Sequence, residues 1–263
     1  MSPETLSPDD LTDLKYAKDL LENPSLGAKI SNVIGFPIEK GFELLPAKWS
    51  ETVNRITRES LEKALDFGIW TMQAHSNRPS ANLMHKFMAA ASGAGGGAFG
   101  LFALPIELPL STTIILRSIA DIARSEGEVI TTPQAKLACI EVFALGGRSG
   151  SDDSAKTGYF QVRAILAKAV SEAAQYIAER GLVEESAPAI VRFIAQIASR
   201  FSVSVSQKAA AQMVPIFGAA GGAIVNLVFI DHFQDVGRGH FIVRRLEREH
   251  GAVDVRRAYD QLL

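Results

Sequence analysis

The sequence predicts an all-α protein, a multi-helix bundle in one domain of residues 1–263. Apolar residues recur at helical spacing along almost the whole chain, and no convincing period-two alternation bounded by hairpin turns is present. Two similar segments, GAGGGA from Gly93 and GAAGGA from Gly218, each lie inside a long uncharged run. These segments predict two glycine-rich apolar helices in the core.

The first part of the chain predicts two well-defined helices separated by a broken stretch. Ser7 is a suitable N-cap with Pro8 at the first helical position, so a helix is expected to begin there. Glycine and proline interrupt residues 32–49, which predicts only short helical pieces. Residues 50–74 give the clearest amphipathic helix because their apolar and charged residues fall on opposite faces.

The remaining elements are marked by similar start and stop signals. A helix that begins near Pro105 is expected to end at Gly127, and Thr132 followed by Pro133 predicts the start of the next one. Residues 146–158 are rich in glycine, serine and aspartate, which predicts a flexible loop. The segment SRFSVSVS alternates, which leaves a short strand there as an alternative to helix. Further helices are predicted over residues 159–180, 187–214, 218–238 and 240–250.

The glycines of the two hexads are predicted to pack helices closely. A glycine costs a helix roughly 1 kcal/mol relative to alanine, so a cluster of glycines needs a compensating contact. Without side chains, two helix backbones can approach closely, as in small-xxx-small contacts. Neither hexad carries the Lys-Ser/Thr of a phosphate-binding loop. The predicted helix-packing residues are Gly93, Gly97, Gly100, Gly218 and Gly222.

Each hexad is followed by an apolar run, an amphipathic helix and a glycine stop. Gly127 lies 34 residues after Gly93, and Gly251 lies 33 residues after Gly218. This spacing suggests an internal pseudo-repeat. Convergent use of small residues explains the pattern equally well.

Two uncharged runs raise the question of a membrane. Phe87–Ile106 has no charge over 20 residues and Ala209–Ile230 has none over 22, lengths that suffice to cross about 30 Å of hydrocarbon. Their glycine, proline and amide residues make them marginal for insertion. Buried helices of a soluble or peripheral fold are therefore favoured, with membrane insertion or attachment as the alternative.

The composition and the first residues of the chain indicate which partners and which location to expect. A net charge of −2 and a pI near 6.2 give no reason to expect a nucleic-acid partner. The start MSPETLSPDD lacks the features of a secretory signal, so a cytoplasmic location is expected, with peripheral or integral attachment at the inner face of the cell membrane as an option. The one cysteine, Cys139, allows no intramolecular disulfide and is expected to be a small buried thiol.

Carboxylates and imidazoles near the C-terminal end could bind a divalent metal, so a metal-dependent hydrolase that uses residues 231–250 is one hypothesis. No H-E-x-x-H spacing is present, and Gly237 and Gly239 are expected to disturb the helix between the two histidines. A structural role for these side chains is therefore preferred. The candidate polar site consists of Glu107, Asp231, His232, Asp235 and His240.

Two further charged features have structural interpretations. Glu107 lies between Pro105 and Pro109 and is expected to cap the next helix, with a buried functional carboxylate as the alternative. Six arginines between Arg238 and Arg257 are expected to form a salt-bridged face with nearby acids, in preference to an anionic-lipid patch.

The functional expectation is a protein without catalytic residues. No serine lies in a G-x-S-x-G elbow and no motif calls for a cofactor, so a non-enzymatic function without cofactor is favoured. A third hypothesis, beside membrane association and the hydrolase, is a soluble scaffold that forms homo-oligomers through its glycine faces.

Three segments together resemble the EcsC protein family: IGFPIEKGFELLP, LPIELPLSTTIILRSIADIARSEG and VPIFGAAGGAIVNLVFIDHFQDVGRGHFIVRRLEREHG. The resemblance covers about residues 30–260. The family takes its name from a gene beside the two components of an ABC transporter. The resemblance therefore implies a membrane-associated or transporter-accessory protein, with a membrane surface or transporter components as partners. It carries over no catalytic residue.

Overall fold

The computed structural model describes six stretches of the chain, which together form the core of a helical bundle. These stretches are residues 6–22, 25–72, 104–147, 158–180, 186–213 and 218–262.

Ten helices and no strand are found within these stretches, so the all-α prediction is confirmed. SRFSVSVS is helical and lies inside the eighth helix, so the alternative of a strand there is wrong. The helices are α1 (Pro8–Glu22), α2 (Leu26–Ile34), α3 (Ile38–Glu43), α4 (Trp49–Met72), α5 (Leu104–Ser125), α6 (Pro133–Leu145), α7 (Tyr159–Arg180), α8 (Pro188–Gln212), α9 (Gly218–His250) and α10 (Ala252–Gln261).

The predicted helix boundaries are set by caps of the expected kind. The Ser7 hydroxyl accepts a hydrogen bond from the backbone N–H of Asp10 at 3.1 Å, at the start of α1. The Thr132 hydroxyl accepts one from the backbone N–H three residues on, at 3.3 Å, at the start of α6. Gly127 and Gly251 follow α5 and α9 with φ of 79° and 89°, a left-handed conformation that favours glycine.

The centre of the fold is the pair α5 and α9, which lie side by side in the same direction. Gln234 of α9 donates a hydrogen bond to the Ser118 hydroxyl of α5, and further along both helices Arg245 bonds Glu126 at 3.1 Å. Helix α9 has 33 residues, which makes it about 50 Å long. It therefore reaches from one end of the bundle to the other.

Helix α9 continues without a break through Gly237 and Gly239, so the prediction of a disturbed helix there is wrong. The reason is packing against two neighbours. A Cβ on Gly239 would lie 2.9 Å from the carbonyl oxygen of Ala17 in α1, and one on Gly237 would touch Ile119 of α5 at 3.5 Å. Gly239 therefore lets α1 approach α9 closely, and that contact offsets its cost within a helix, whereas a Cβ on Gly237 would make only an ordinary contact.

Buried aromatic rings join α6, α8 and α9. Phe143, Phe201, Phe229 and Phe233 are all fully buried, and their ring centroids lie 4.7 to 6.1 Å apart. Cys139 is also fully buried, as predicted, and burial raises the pKa of its thiol to about 12. The thiol is therefore protonated and unreactive at neutral pH.

Only two of the five predicted helix-packing glycines are among the described residues. Gly93, Gly97 and Gly100 lie outside them. Gly218 is the first residue of α9 and Gly222 is buried in its second turn. Close packing by the hexads, and the pseudo-repeat that includes them, stay predictions.

Residues 148–157 of the predicted flexible loop also lie outside the described residues. The two glycines before them, Gly146 and Gly147, are buried. A Cβ on Gly147 would overlap the carbonyl oxygen of Arg200, so α8 passes directly over the end of α6. The flexible loop, and the single domain that it would interrupt, stay predictions.

No helix in the described ranges is both long and apolar enough to cross a membrane. Most of the first uncharged run, residues 87–103, lies outside those ranges. The second run is shared between the end of α8 and the first part of α9.

Candidate functional site

Glu107 pairs with a helix that is remote in sequence. Lys208 of α8 donates to its Oε1 at 2.6 Å, and the Gln212 amide donates to its Oε2 at 3.2 Å. The side chains of Lys208 and Glu107 are 0% and 3% exposed, and the ammonium lies 4.9 Å from the centre of the Phe229 ring. Glu107 is therefore buried and paired with α8, and a functional role for its carboxylate stays a prediction.

The buried ion pair connects the borders of the two uncharged runs. Glu107 directly follows the run that ends at Ile106, and Lys208 directly precedes the run that begins at Ala209. Their contact at 2.6 Å places the start of α5 beside the end of α8. The described borders of the two runs, residues 104–106 and 209–213, thus meet at one end of the bundle.

The same end of the bundle exposes large apolar side chains. Ile106 is 80% exposed, and Leu110, one turn further along the same face of α5, and Ile224 of α9 are also exposed. Phe42 and Leu44 are exposed beside Gly41, whose backbone lies against Ala210 of α8. We call these five residues the apolar end: Phe42, Leu44, Ile106, Leu110 and Ile224.

The two histidines of the predicted polar site face different helices. His232 Nε2 lies 2.9 Å from the carbonyl oxygen of Gly146, so this nitrogen donates the hydrogen bond. His240 Nδ1 lies 2.9 Å from the hydroxyl of Tyr159 in α7. Burial, together with Arg163 and Arg244, holds the pKa of His240 well below its usual value, so the ring is neutral at neutral pH.

The predicted metal cluster does not assemble. Asp235 forms an ion pair with Lys29 of α2 at 2.7 Å, while the histidines are held by α6 and α7. Among the described side chains, only Asp10, Glu249 and His250 form a group of three ligand atoms within 4.8 Å of one another. His250 Nε2 in that group contacts Asp10 at 3.0 Å. The predicted cluster does not form because His232 and His240 are eight positions apart on α9, and the turn of the helix directs their side chains toward different neighbouring helices.

The arginines near the C-terminal end form the predicted salt-bridged face. Arg244 contacts Glu128 at 2.7 Å, and Arg248 contacts the same carboxylate. Arg245 contacts Asp13 at 2.6 Å and Glu126 at 3.1 Å. These pairs tie α1 and the end of α5 to the last turns of α9, at the end of the bundle opposite the apolar end.

Sequence reasoning missed a groove of about 1110 Å³ between α6, α7, α9 and α10. Its polar lining includes Arg163, which binds Glu247 through two hydrogen bonds of 2.8 and 3.0 Å. Arg244 and Arg256 also line it, and the guanidinium of Arg256 lies over the Phe160 ring. Much of the remaining lining is alanine and valine, so the groove is apolar with charged groups along part of its walls.

Glu141 is the buried acid of this groove, which we call the arginine groove. It lies in α6, a helix that is buried on all sides from Ala135 to Leu145, and it is only 5% exposed. Burial is the main cause that raises the pKa of its carboxyl to about 7; Arg163 and Arg244 lower it and Glu247 raises it further. The signal for this site in the sequence is one acid within the apolar segment LACIEVFAL.

Comparison with known protein families gives a match over most of the chain. The sequence profile described as the EcsC protein family matches residues 14–246, which is most of the chain. A search of curated proteins and a search of solved structures found no match.

Proposed function

We propose that this chain, which belongs to the EcsC protein family, is a non-enzymatic protein that attaches to a membrane through the apolar end of its helical bundle. The observation that carries the proposal is the Glu107–Lys208 pair, because it brings together the borders of two runs without charge. The proposed partners are the lipid surface and, beside it, a membrane protein such as an ABC transporter component. The inner face of the cell membrane is the proposed location.

The exposed side chains of the apolar end support a peripheral contact. Full transfer of an isoleucine or leucine side chain out of water is favourable by about 1.5–3 kcal/mol. Ile106, Leu110 and Ile224 together therefore give on the order of 4 kcal/mol, which corresponds to reversible binding. This size of effect agrees with helices that touch a bilayer and do not cross it.

The charges around the apolar end favour an apolar contact with lipid over electrostatic attraction to anionic headgroups. Glu39, Lys40, Glu43 and Lys48 are exposed near Phe42, and their two negative and two positive charges cancel. The arginine-rich face lies at the other end and is paired with acids. The proposed attachment therefore depends on apolar area.

The positions of the polar residues favour a non-enzymatic function. His232 contacts a backbone carbonyl, His240 contacts Tyr159, and Asp235 contacts Lys29. Each contact joins α9 to another element, which is a structural role.

The proposal predicts that the protein floats with lipid vesicles and that one charge at the apolar end prevents it. Vesicles of phosphatidylcholine are mixed with the protein and centrifuged through a density gradient. Ile106→Glu should reduce the bound fraction about tenfold, because a carboxylate replaces an apolar contact worth roughly 1.4 kcal/mol.

Val129→Glu is the matched control, since Val129 is 64% exposed but follows α5 at the opposite end of the bundle. It should float like the wild type. Circular dichroism shows whether both variants keep their helices. Absence of the wild-type protein from the vesicle fraction, or equal loss in both variants, would contradict the proposal.

A further inference from the structure

The arginine groove carries binding groups that the protein itself does not use. Arg244 bonds Glu128 through Nε, and Arg256 Nε lies 3.9 Å from Asp260. The terminal nitrogens of both arginines make no hydrogen bond to any described residue. Glu141, which lines the groove and is 95% buried, has a carboxyl that also makes no hydrogen bond to a described residue. The side chains of Arg244 and Arg256 are 24% and 58% exposed, so their terminal nitrogens are open to a ligand that enters the groove.

The charge of the groove selects an anion. Three arginines line it, Arg163, Arg244 and Arg256, against two glutamates, Glu141 and Glu247, which leaves a net charge of +1 on the lining. Each arginine also has an acidic partner, which is Glu247 for Arg163, Glu128 for Arg244 and Asp260 for Arg256. Glu141 loses its negative charge when it binds a proton. A cleft with an excess of positive charge raises the local concentration of anions and repels cations.

The rest of the wall fits an apolar chain. Ala138 of α6 and Ala164, Ala167, Val170 and Ala174 of α7 line the groove. Their small side chains leave the space between the helices open. At about 1110 Å³ the groove is slightly larger than the usual range for small-molecule sites, which are largely apolar with a few placed polar groups.

We propose that the arginine groove binds an amphipathic molecule that carries one anionic oxygen group, a carboxylate or a phosphate, on an apolar chain. The terminal nitrogens of Arg244 and Arg256 bind the anionic oxygens, since guanidinium groups match carboxylate and phosphate geometry. The protonated carboxyl of Glu141 donates a hydrogen bond to the same group, and the chain lies along the alanine wall. This site is separate from the apolar end and does not depend on the function proposed above.

A bound anion makes Glu141 hold its proton more strongly, so binding and protonation are coupled. The pKa of this carboxyl is already raised to about 7, mainly by burial. Affinity should therefore be highest below pH 7 and fall as Glu141 ionises above it. The titratable and charged groups that face Glu141 are Tyr159 and Arg163 of α7, the neutral His240, Arg244 and Glu247 of α9, and, along the same groove, Arg256 of α10.

Titration calorimetry with probes of equal chain length tests the proposal. The probes are decanoate, decyl phosphate and decyltrimethylammonium, each below its micelle concentration, at pH 6 and pH 8.5. Decanoate, decyl phosphate or both should bind at pH 6, and the one that binds more tightly identifies the anionic group. Affinity should fall about tenfold by pH 8.5, and the cation should not bind.

Two variants separate specific binding from apolar adsorption. Arg256→Gln should weaken anion binding at least about fivefold, whereas Arg257→Gln should not, since the two side chains are 58% and 57% exposed and only Arg256 lines the groove. Glu141→Gln keeps a hydrogen-bond donor and should bind with little dependence on pH. The proposal is overturned if neither anion binds at pH 6, if the cation binds equally well, or if Arg256→Gln and Arg257→Gln behave alike.

Discussion

Glu107 and Lys208 are fully removed from water and stabilise each other. Removing charges from water is costly, and an ion pair in the interior regains this cost only with good geometry and additional hydrogen bonds. The amide of Gln212 supplies one such bond to Glu107. A pair of this kind fixes the register of α5 against α8, because any shift would leave two unpaired buried charges.

Glu141 should make the stability of the protein depend on pH. Its carboxyl has a pKa of about 7 in the folded state against a reference value of 4.5. A raised pKa favours the protonated folded state, so its contribution is complete below about pH 4.5 and is lost as pH rises toward about 7. By linkage, the loss is at most about 3 kcal/mol.

We therefore expect Glu141→Gln to be more stable relative to the wild type at pH 8 than at pH 5, by up to about 3 kcal/mol. Urea unfolding followed by circular dichroism at both pH values measures this difference. Glu179→Gln, at an exposed position of α7, is the control, and its free energy of unfolding should differ from that of the wild type by the same amount at pH 5 and pH 8. An equal effect of Glu141→Gln at pH 5 and pH 8 would show that Glu141 titrates normally.

At the residue scale, the sequence identified polar side chains but could not identify their partners. Glu107, His232 and His240 were candidates from residue type and neighbours alone. Their partners, Lys208, Gly146 and Tyr159, lie 81 to 101 residues away. Spacing along one helix predicts which side chains share a face, and only the fold determines what lies opposite that face.

At the scale of elements, local signals in the sequence were reliable. Thr132 with Pro133 set the start of α6, and Gly127 set the end of α5, because caps are local hydrogen bonds and backbone conformations. Gly239 misled the prediction, since helix propensity in isolation disfavours glycine while close packing against α1 requires it. The arginine groove was missed because four helices build it.

Two glycines lie where the backbone of α8 is very close, so substitution of either should destabilise the protein. A Cβ on Gly41 would overlap the carbonyl oxygen of Ala210, and one on Gly147 would overlap that of Arg200. Since backbone must move in both cases, we expect Gly41→Ala and Gly147→Ala each to lower the free energy of unfolding by about 2 kcal/mol or more. Urea unfolding measures the loss.

Gly158→Ser is the control for these substitutions. A Cβ at Gly158 has nothing within 4 Å, and serine is a favourable residue at the start of α7. Its stability should stay within about 0.5 kcal/mol of the wild type. If Gly41→Ala and Gly147→Ala were equally mild, α3 and α6 would not lie against the backbone of α8 as described.

Within the described residues, the apolar end and the paired arginines lie at opposite ends of α9. The apolar end lies at its first turns, and the arginines that contact α1 and the end of α5 lie at its last turns. The uncharged runs alone suggested an apolar region, but the sequence could not show that both runs begin or end beside one ion pair. That placement depends on the packing of α5 against α8.

This polarity predicts how vesicle binding responds to salt. The fraction bound should change less than about twofold between 50 and 500 mM NaCl, because apolar contacts are not screened while contacts of basic residues with anionic lipid are. Neutral phosphatidylcholine vesicles and vesicles with 30% phosphatidylglycerol should bind similar amounts. Flotation at both salt concentrations measures this. Binding that needs anionic lipid and disappears at 500 mM would assign the contact to the arginine-rich face.

The two ends of α9 are farther apart than the distance over which salt screens electrostatic interactions. Ile224 and Glu247 lie 23 positions apart on this one helix, a distance of about 35 Å. In physiological salt the Debye length is about 8 Å, so a protein that stands on a bilayer by its apolar end keeps its groove beyond the surface potential of the lipids. Occupancy of the groove would then follow the bulk concentration and pH of the surrounding water, whatever headgroups lie beneath.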